Sequence, residues 1–334
     1  MDNFYNREHI QRARSKIIGI VGIILILVCS SIYFFFLSAP QWQSDITPFV
    51  VAIGATQDQV NTTLQSEGFI KNISAFNMLV KLRGIKNIDS GSYKISKSMN
   101  VWQIASVLSG KAALEWVVIP EGLRKEEIAD ILAKNLGWTN AQKTEWITVD
   151  TDPDADHFEG VYFPETYLIP TNETPSATAT RLRSKFEEEF APYATQALQQ
   201  DIKWTTVLKI ASIIQREAAG KDDMPLVSGI IWNRLNANMR LQVDSTVQYV
   251  RGNTGKGWWA PITPADEKID SPYNTYTHAG LPPTPIDNPG IEAISAALNP
   301  ASTKCIYYIH DNSGNIHCSV TYAEQQANIA KYLQ

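Results

Sequence analysis

The sequence is poor in the residues that mark many well-known chemistries. Among 334 residues there are three cysteines and five histidines. His9, His157, His278, His310 and His317 form no H-E-x-x-H pair and have no Cys-x-x-Cys beside them, so no metal site is expected. No serine stands in a G-x-S-x-G elbow. The glycine-rich stretch GNTGKG, Gly252 to Gly257, has the wrong spacing for a phosphate-binding loop and no Ser or Thr after its lysine, so it reads as a turn. No cofactor is implied. Internal repeats and low-complexity tracts are absent. What is there has an ordinary globular balance, 44% hydrophobic and 19% charged, with length for about two domains of typical size.

Long apolar runs are scarce too, and the exception is informative. IIGIVGIILILVCSSIYFFFL, Ile17 to Leu37, is uncharged over the roughly 20 residues that cross a hydrocarbon core. A cleaved signal peptide is the competing reading, but its apolar region runs to only about 7–15 residues, and LSAPQW is a poor cleavage site. Arg7, Arg12, Arg14 and Lys16 precede the run, so the positive-inside rule predicts a cytoplasmic tail (1–16), a single membrane helix (17–37), and the remainder outside. The tail has a net charge of +2 and the rest of the chain −7, which gives no basic face for nucleic acid. Cys29 falls in the span. Cys305 and Cys318 flank a predicted hairpin turn at DNSGN, and an external compartment permits a disulfide; a bridge and two free thiols both stand as readings.

After a polar linker (38–48), Thr56 and Gln59 form a capping-box pattern ahead of a helix that Gly68 closes. A second short helix from about Val101 stops at Gly110, while GSYKI and ALEWVVIP read as strands, making a small α/β module over 49–120. A larger unit, 121–334, opens with PEGLRKEEIADILAKNLG, where Ile128, Ile131 and Leu132 share a helix face and Gly137 supplies the stop. FEGVYFPETYLIP is too interrupted by proline to be a regular strand. Helices follow at about Ser176–Phe190 and Lys203–Ala218, then one capped by Asp223, with Pro225 in its first turn, to about Ala237. Arg240 to Pro289 is rich in Tyr, Trp, Asn, Gly and Pro without a sustained helical period, as expected of a long ordered binding loop. A helix at SAALNP, a hairpin around Ser313 and a last helix from about Ala323 complete an α+β chain.

One side chain breaks the pattern. Val207, Ile210, Ile214 and Glu217 fall on one helical stripe, so a carboxylate occupies the end of an apolar face. There the helix dipole and burial beside Ile214 both favour the protonated form, which a general acid needs. A plainer reading has Arg216 or Lys221 neutralise an acid at the edge of the stripe. Gln242, Asp244, Ser245, Tyr249, Trp258, Trp259, Tyr273, Asn274 and Tyr276 supply amides, hydroxyls and aromatic faces that suit a saccharide groove, although turn and core roles explain each one singly.

ASIIQREA (Ala211 to Ala218), NRLNANMRLQVDSTVQY (Asn233 to Tyr249), YNTYTHAGLPPTPIDNPG (Tyr273 to Gly290) and FEGVYFPETY (Phe158 to Tyr167) resemble the signature blocks of the YceG-like family, the MltG endolytic murein transglycosylases. The N-terminal anchor and VIPEGLRKEEIAD are similar too. The resemblance implies one membrane helix, a LysM-like module and a mixed α+β catalytic domain. It also implies non-hydrolytic cleavage between N-acetylmuramic acid and N-acetylglucosamine within peptidoglycan glycan strands, with a 1,6-anhydro end and termination of strand growth beside penicillin-binding synthases. Glu217 matches the family's catalytic acid, and Gln215 stands where the family usually has another glutamate. Gln242, Asp244, Ser245, Tyr249, Asn274, Tyr276 and Glu165 are the expected substrate-binding set. The ending HCSVTYAEQQAN departs from the family's usual histidine-bearing one, so His317 is assigned no role. The family's old aminodeoxychorismate lyase label finds no support in these residues. Two alternatives are a non-catalytic wall-binding scaffold and a two-carboxylate glycoside hydrolase, for which Glu159, Glu165 and Asp244 are the candidate second acids.

Overall fold

Two separate sets of buried apolar side chains organise the computed structural model, which describes residues 2–152 and 158–333, without the side chains of residues 2–15. The arginines of the tail, His9 and His157 therefore lie outside the described side chains. The two compact units are Met1–Trp116 and Val117–Gln334.

In the first unit, α1 (Asp2–Ile32) continues through a π-helical turn, Tyr33–Leu37. Its stretch Lys16–Leu37 is long and apolar enough to cross a membrane, and it is not buried in the protein. Strand β1 (Ile46–Val51) begins inside the stretch read as linker and pairs antiparallel with β2 (Gly91–Ser96), placing Phe49 opposite Tyr93. β3 (Leu114–Val118) continues from β2 through the Ser92–Leu114 pair, and Trp116 donates its indole N–H to the Val51 carbonyl at 3.0 Å.

Helix α2 (Gln57–Ser66) has the expected reciprocal cap between Thr56 and Gln59, and α4 (Val101–Leu108) has another between Asn100 and Gln103. Between them lies α3 (Ile73–Leu82), a third helix absent from the sequence reading, which allowed only two. It is only ten residues long, and its apolar residues cover all but the face of Ser74, Asn77 and Lys81; the Asn72 side chain caps its first turn.

In the second unit, α5 (Lys125–Leu136) ends at Gly137, whose φ of 73° is the left-handed stop expected from sequence. α6 (Asn140–Glu145) runs into a π-helical turn, Trp146–Asp150, and the irregular aromatic segment resolves into β4 (Thr166–Pro170). α7 (Pro175–Gln199) passes straight through Pro192 rather than stopping at Phe190. Proline removes one backbone hydrogen bond, and the packed apolar face on both sides, including Phe186, Phe190 and Ala197, carries the helix on.

α8 (Trp204–Glu217) is the buried centre of this unit, with Val207, Leu208, Ile210, Ala211, Ile213 and Ile214 all inside. It packs against α9 (Met224–Asn236) and α11 (Ile291–Leu298). Asp223 does not cap α9 with its side chain, as expected from sequence, but turns back to accept from the preceding Ala219 and Gly220 amides, each at 3.1 Å. The stretch 240–289 also holds more order than anticipated: α10 (Asp244–Arg251) and a 3-10 turn at Asp266–Lys268. α10 is too short to show a period against so many turn residues. The chain closes with the hairpin β5 (Tyr307–His310) and β6 (Ile316–Ser319) and with α12 (Tyr322–Tyr332). A disulfide joins Cys305 to Cys318 across the base of the hairpin, deciding between the two cysteine readings.

Candidate active site

Helix α8 stops at Glu217 because Ala218 turns extended, and Asp223 then gathers the next amides into a tight turn. The last residue of a buried helix is thus fixed in place. Glu217 is half-buried, not sealed. Ser245 donates its hydroxyl to Oε1 at 3.0 Å and Tyr308 donates to Oε2 at 2.7 Å. Burial is the leading influence on this carboxyl and pushes it above the ordinary carboxylate value. The Tyr308 and Ser245 hydrogen bonds pull it down, and the Asp244 charge pushes it up. Tyr308 is raised well above the usual phenol value, first by its own burial and then by the Glu217 charge, so it stays a donor.

Three elements meet at this carboxyl. Ser245 lies in the first turn of α10, fully buried, and Asp244 beside it accepts from the Tyr276 hydroxyl at 2.5 Å. The loop carrying Tyr276 is sewn to the start of α10: Thr275 accepts the Gln242 N–H through its carbonyl at 3.1 Å and the Val243 N–H through its hydroxyl at 3.0 Å. β5 is held by Arg234, whose guanidinium donates to the Ile306 carbonyl at 2.6 Å and to the Leu241 carbonyl. His310, two residues after Tyr308, bonds the Asp223 carboxylate at 2.7 Å and ties the same strand to the turn after Glu217.

The residues anticipated from sequence separate into distinct places. Ser245 touches Glu217 directly, and Asp244 and Tyr276 form a linked pair alongside. Gln242 is exposed, with a left-handed φ of 50°, at the bend that precedes α10. Asn274 is fully buried, and its amide donates to the Glu267 and Ile269 carbonyls at 2.9 and 2.8 Å while its oxygen accepts the Tyr276 N–H, so its polar atoms shape the loop.

Tyr249 faces another group: it donates to Glu159 Oε2 at 3.0 Å and stacks under the Arg124 guanidinium at 4.2 Å. Glu159 is buried, also accepts from Asn288 and the Lys125 N–H, and burial raises its pKa to about 7. Glu165 is exposed and accepts from the neighbouring Thr166 N–H at 2.8 Å. Gln215 bridges Glu121 and the Gly290 N–H, and His317 bonds Asp311 and stacks on Tyr332.

Two important residues escaped the sequence reading. Tyr308 lies 91 positions from Glu217 in a short strand, and nothing local distinguishes it from the Tyr307 beside it. Asn288 is fully buried and accepts both the Gly160 and Tyr162 amides at 2.9 Å while donating to the Leu123 carbonyl. Its place in the IDNPG run was the available signal. Among the described residues no cluster of His, Cys, Asp and Glu is arranged to hold a metal ion.

A profile of the YceG-like family matches residues 49–331. The chain is 25% identical over 314 residues to an endolytic murein transglycosylase of Streptococcus pneumoniae serotype 2, covering 84% of this chain and 57% of that protein. It is 28% identical over 302 residues to one of Bacillus subtilis, covering 84% and 83%. The chain thus spans little more than half the length of the pneumococcal relative and most of the Bacillus one. A crystal structure of a YceG-like protein from Listeria monocytogenes superposes with a TM-score of 0.59 at 28% identity, covering 85% of this chain and 99% of that one. The match extends through both units, from β1 to α12, and this chain belongs to the YceG-like family.

Proposed function

We propose that this protein is a membrane-anchored endolytic lytic transglycosylase that cuts peptidoglycan glycan strands between N-acetylmuramic acid and N-acetylglucosamine. The observation that carries the reading is the Glu217 carboxyl, held from both sides by neutral donors where burial favours its proton. The relatives named endolytic murein transglycosylases supply the substrate class.

In the first step Glu217 gives its proton to the bridging oxygen as the C1–O bond breaks through an oxocarbenium-like state, releasing the N-acetylglucosamine hydroxyl. Ser245 and Tyr308 then stabilise the carboxylate that forms. In the second step Glu217 takes the proton of the muramic acid C6 hydroxyl, whose oxygen bonds to C1 and closes the 1,6-anhydro ring. No water enters. Gln242, Asp244, Ser245, Tyr276 and Asn274 line or shape the cleft, with Tyr249 and Glu165 placed further out.

The apolar helix anchors the chain in the cytoplasmic membrane with its N-terminus inside and the enzyme outside, where a LysM-like small module and the catalytic unit meet nascent strands. Partner synthases of the penicillin-binding class polymerise those strands, and cutting terminates their growth.

One observation favours a hydrolytic second reading: Asp244 lies close enough to influence Glu217 and is held by Tyr276, as a second carboxylate would be. Glu159 suits that role less, since it is buried and engaged by Tyr249, Asn288 and the Lys125 N–H. Digesting isolated glycan strands with the full chain in detergent micelles and heavy-oxygen water separates the two. Transglycosylation gives ends one water lighter with no label, whereas labelled reducing ends would overturn the proposal in favour of hydrolysis.

A further inference from the structure

α3 has a narrow polar face, Ser74, Asn77 and Lys81, and is apolar over the rest of its circumference, a wider apolar face than one buried side requires. Phe76, Leu79 and Val80 are indeed buried, but Met78 and Leu82, one helical turn apart, are 65% and 69% exposed. Trp102 of the neighbouring α4 is 44% exposed and lies under the Arg83 guanidinium at 5.6 Å, extending the bare patch. Lys81, Arg83 and Lys86 are its neighbours in the sequence. From Gly68 to Ile88 there are four cations, counting Lys71, and no acid, in a chain whose net charge is −5.

The position of this patch says what covers it. Lys71, just ahead of α3, donates to the Phe34 carbonyl at 3.1 Å and bonds the Ser38 hydroxyl at 2.8 Å, and Leu37 packs against the module's core. Phe34 and Leu37 are the last turn of the apolar span, where it leaves the bilayer. The first turn of α3 is therefore held at the membrane surface. A helix of ten residues is about 15 Å long, so its far end lies within about that distance of the end of the span. Apolar side chains, an indole and neighbouring cations at this level match the headgroup and upper acyl region of an anionic bilayer.

We propose that the α3 face formed by Met78, Leu82 and Trp102, with Lys81, Arg83 and Lys86, docks on anionic lipid and lays the small module against the membrane. The proposal rests on the membrane-anchored reading above but not on glycan cleavage. Lys71 fixes the start of the helix, the apolar residues enter the interface, and the cations pair with lipid phosphates.

The test uses the full chain in nanodiscs of phosphatidylcholine and phosphatidylglycerol, with lipid brominated high on the acyl chain as the quencher. The Trp102 share of emission is the difference between the native chain and Trp102→Phe. Brominated lipid is expected to quench that share at least about twofold, less when phosphatidylglycerol is omitted, and not after Met78→Ser with Leu82→Ser. Those serines replace exposed side chains, and an unchanged circular dichroism spectrum confirms that the fold survives. A Trp102 signal indifferent to brominated lipid and as open to iodide in nanodiscs as in micelles would overturn the proposal, and quenching independent of phosphatidylglycerol would overturn the anionic-lipid assignment. Alkaline carbonate extraction of native membranes separates this failure from that of the anchor: a chain that washes off removes both, whereas one that stays while Trp102 remains aqueous removes the docking face alone.

Discussion

In the proposed mechanism Glu217 has two successive tasks with opposite electrostatic requirements, and the neighbours of its carboxyl suit both. Burial and the Asp244 charge favour the acid form, while the Ser245 and Tyr308 hydroxyls favour the carboxylate left after proton transfer. Activity that needs the protonated acid is present below its pKa and lost as pH rises through it. Removing a donor to the carboxylate raises that pKa, so Tyr308→Phe should move the alkaline limb of kcat/KM to higher pH by about 1–2 units, because a hydrogen bond to a charged group contributes about 1.5–3 kcal/mol. An unmoved limb in a pH profile of strand cleavage would mean that Tyr308 does not set the acidity of Glu217.

The residue scale is also where sequence reading fell short. Glu217 was visible because it breaks an apolar stripe within one helix. Tyr308 was not, because its importance exists only after β5 is folded back onto the end of α8. Glu159 reads from sequence as one candidate second acid, and its burial against Tyr249 and Asn288 is not legible there.

Among the elements, the β5–β6 hairpin bears on the site most directly, since it carries Tyr308 to Glu217 and His310 to Asp223. The Cys305–Cys318 bridge closes its base over a sequence separation of 13. Chain-entropy arguments give a loop of that size about 3 kcal/mol of stabilisation. Replacing both cysteines by alanine should cost the second unit about that much in urea unfolding, provided the native state keeps its geometry. Cleavage should fall as well, since the strand holding Tyr308 loosens. A double variant with native stability and full activity would show that the bridge is dispensable to the hairpin.

Legibility followed local signals at this scale. Reciprocal caps at Thr56 and the glycine stop at Gly137 were written in the sequence and are present in the fold. α3 and α10 are not legible because they are short, ten and eight residues, and α10 lies among turn residues, so neither sustains the period on which sequence reading depends. α7 was cut short at Pro192 because proline is a local veto that packing overrode.

At the level of the whole molecule, the buried Glu159 makes stability depend on pH. Its pKa of about 7 in the folded unit exceeds the ordinary 4.5, so between those values the folded chain keeps a proton that the unfolded chain releases. Its contribution is full below the unfolded pKa and is lost as pH rises through about 7, an effect on the order of 3 kcal/mol. Thermal unfolding of the native chain should therefore fall in Tm from pH 5 to pH 7, and Glu159→Gln, neutral throughout, should flatten that slope. Equal slopes for the two chains would remove Glu159 as the cause.

The chain folds as two compact units, and the convergence of α8, α10 and β5 on one carboxyl in the second was not readable from sequence. That convergence is the centre of the functional account. Its most direct test is mass spectrometry of the ends released from glycan strands by the full chain carrying Glu217→Gln, beside Asp244→Asn. The account predicts that anhydro ends fall by about 10²–10⁴-fold with Glu217→Gln and remain the product with Asp244→Asn. Strand cleavage that persists at native rate without the Glu217 carboxyl would contradict it.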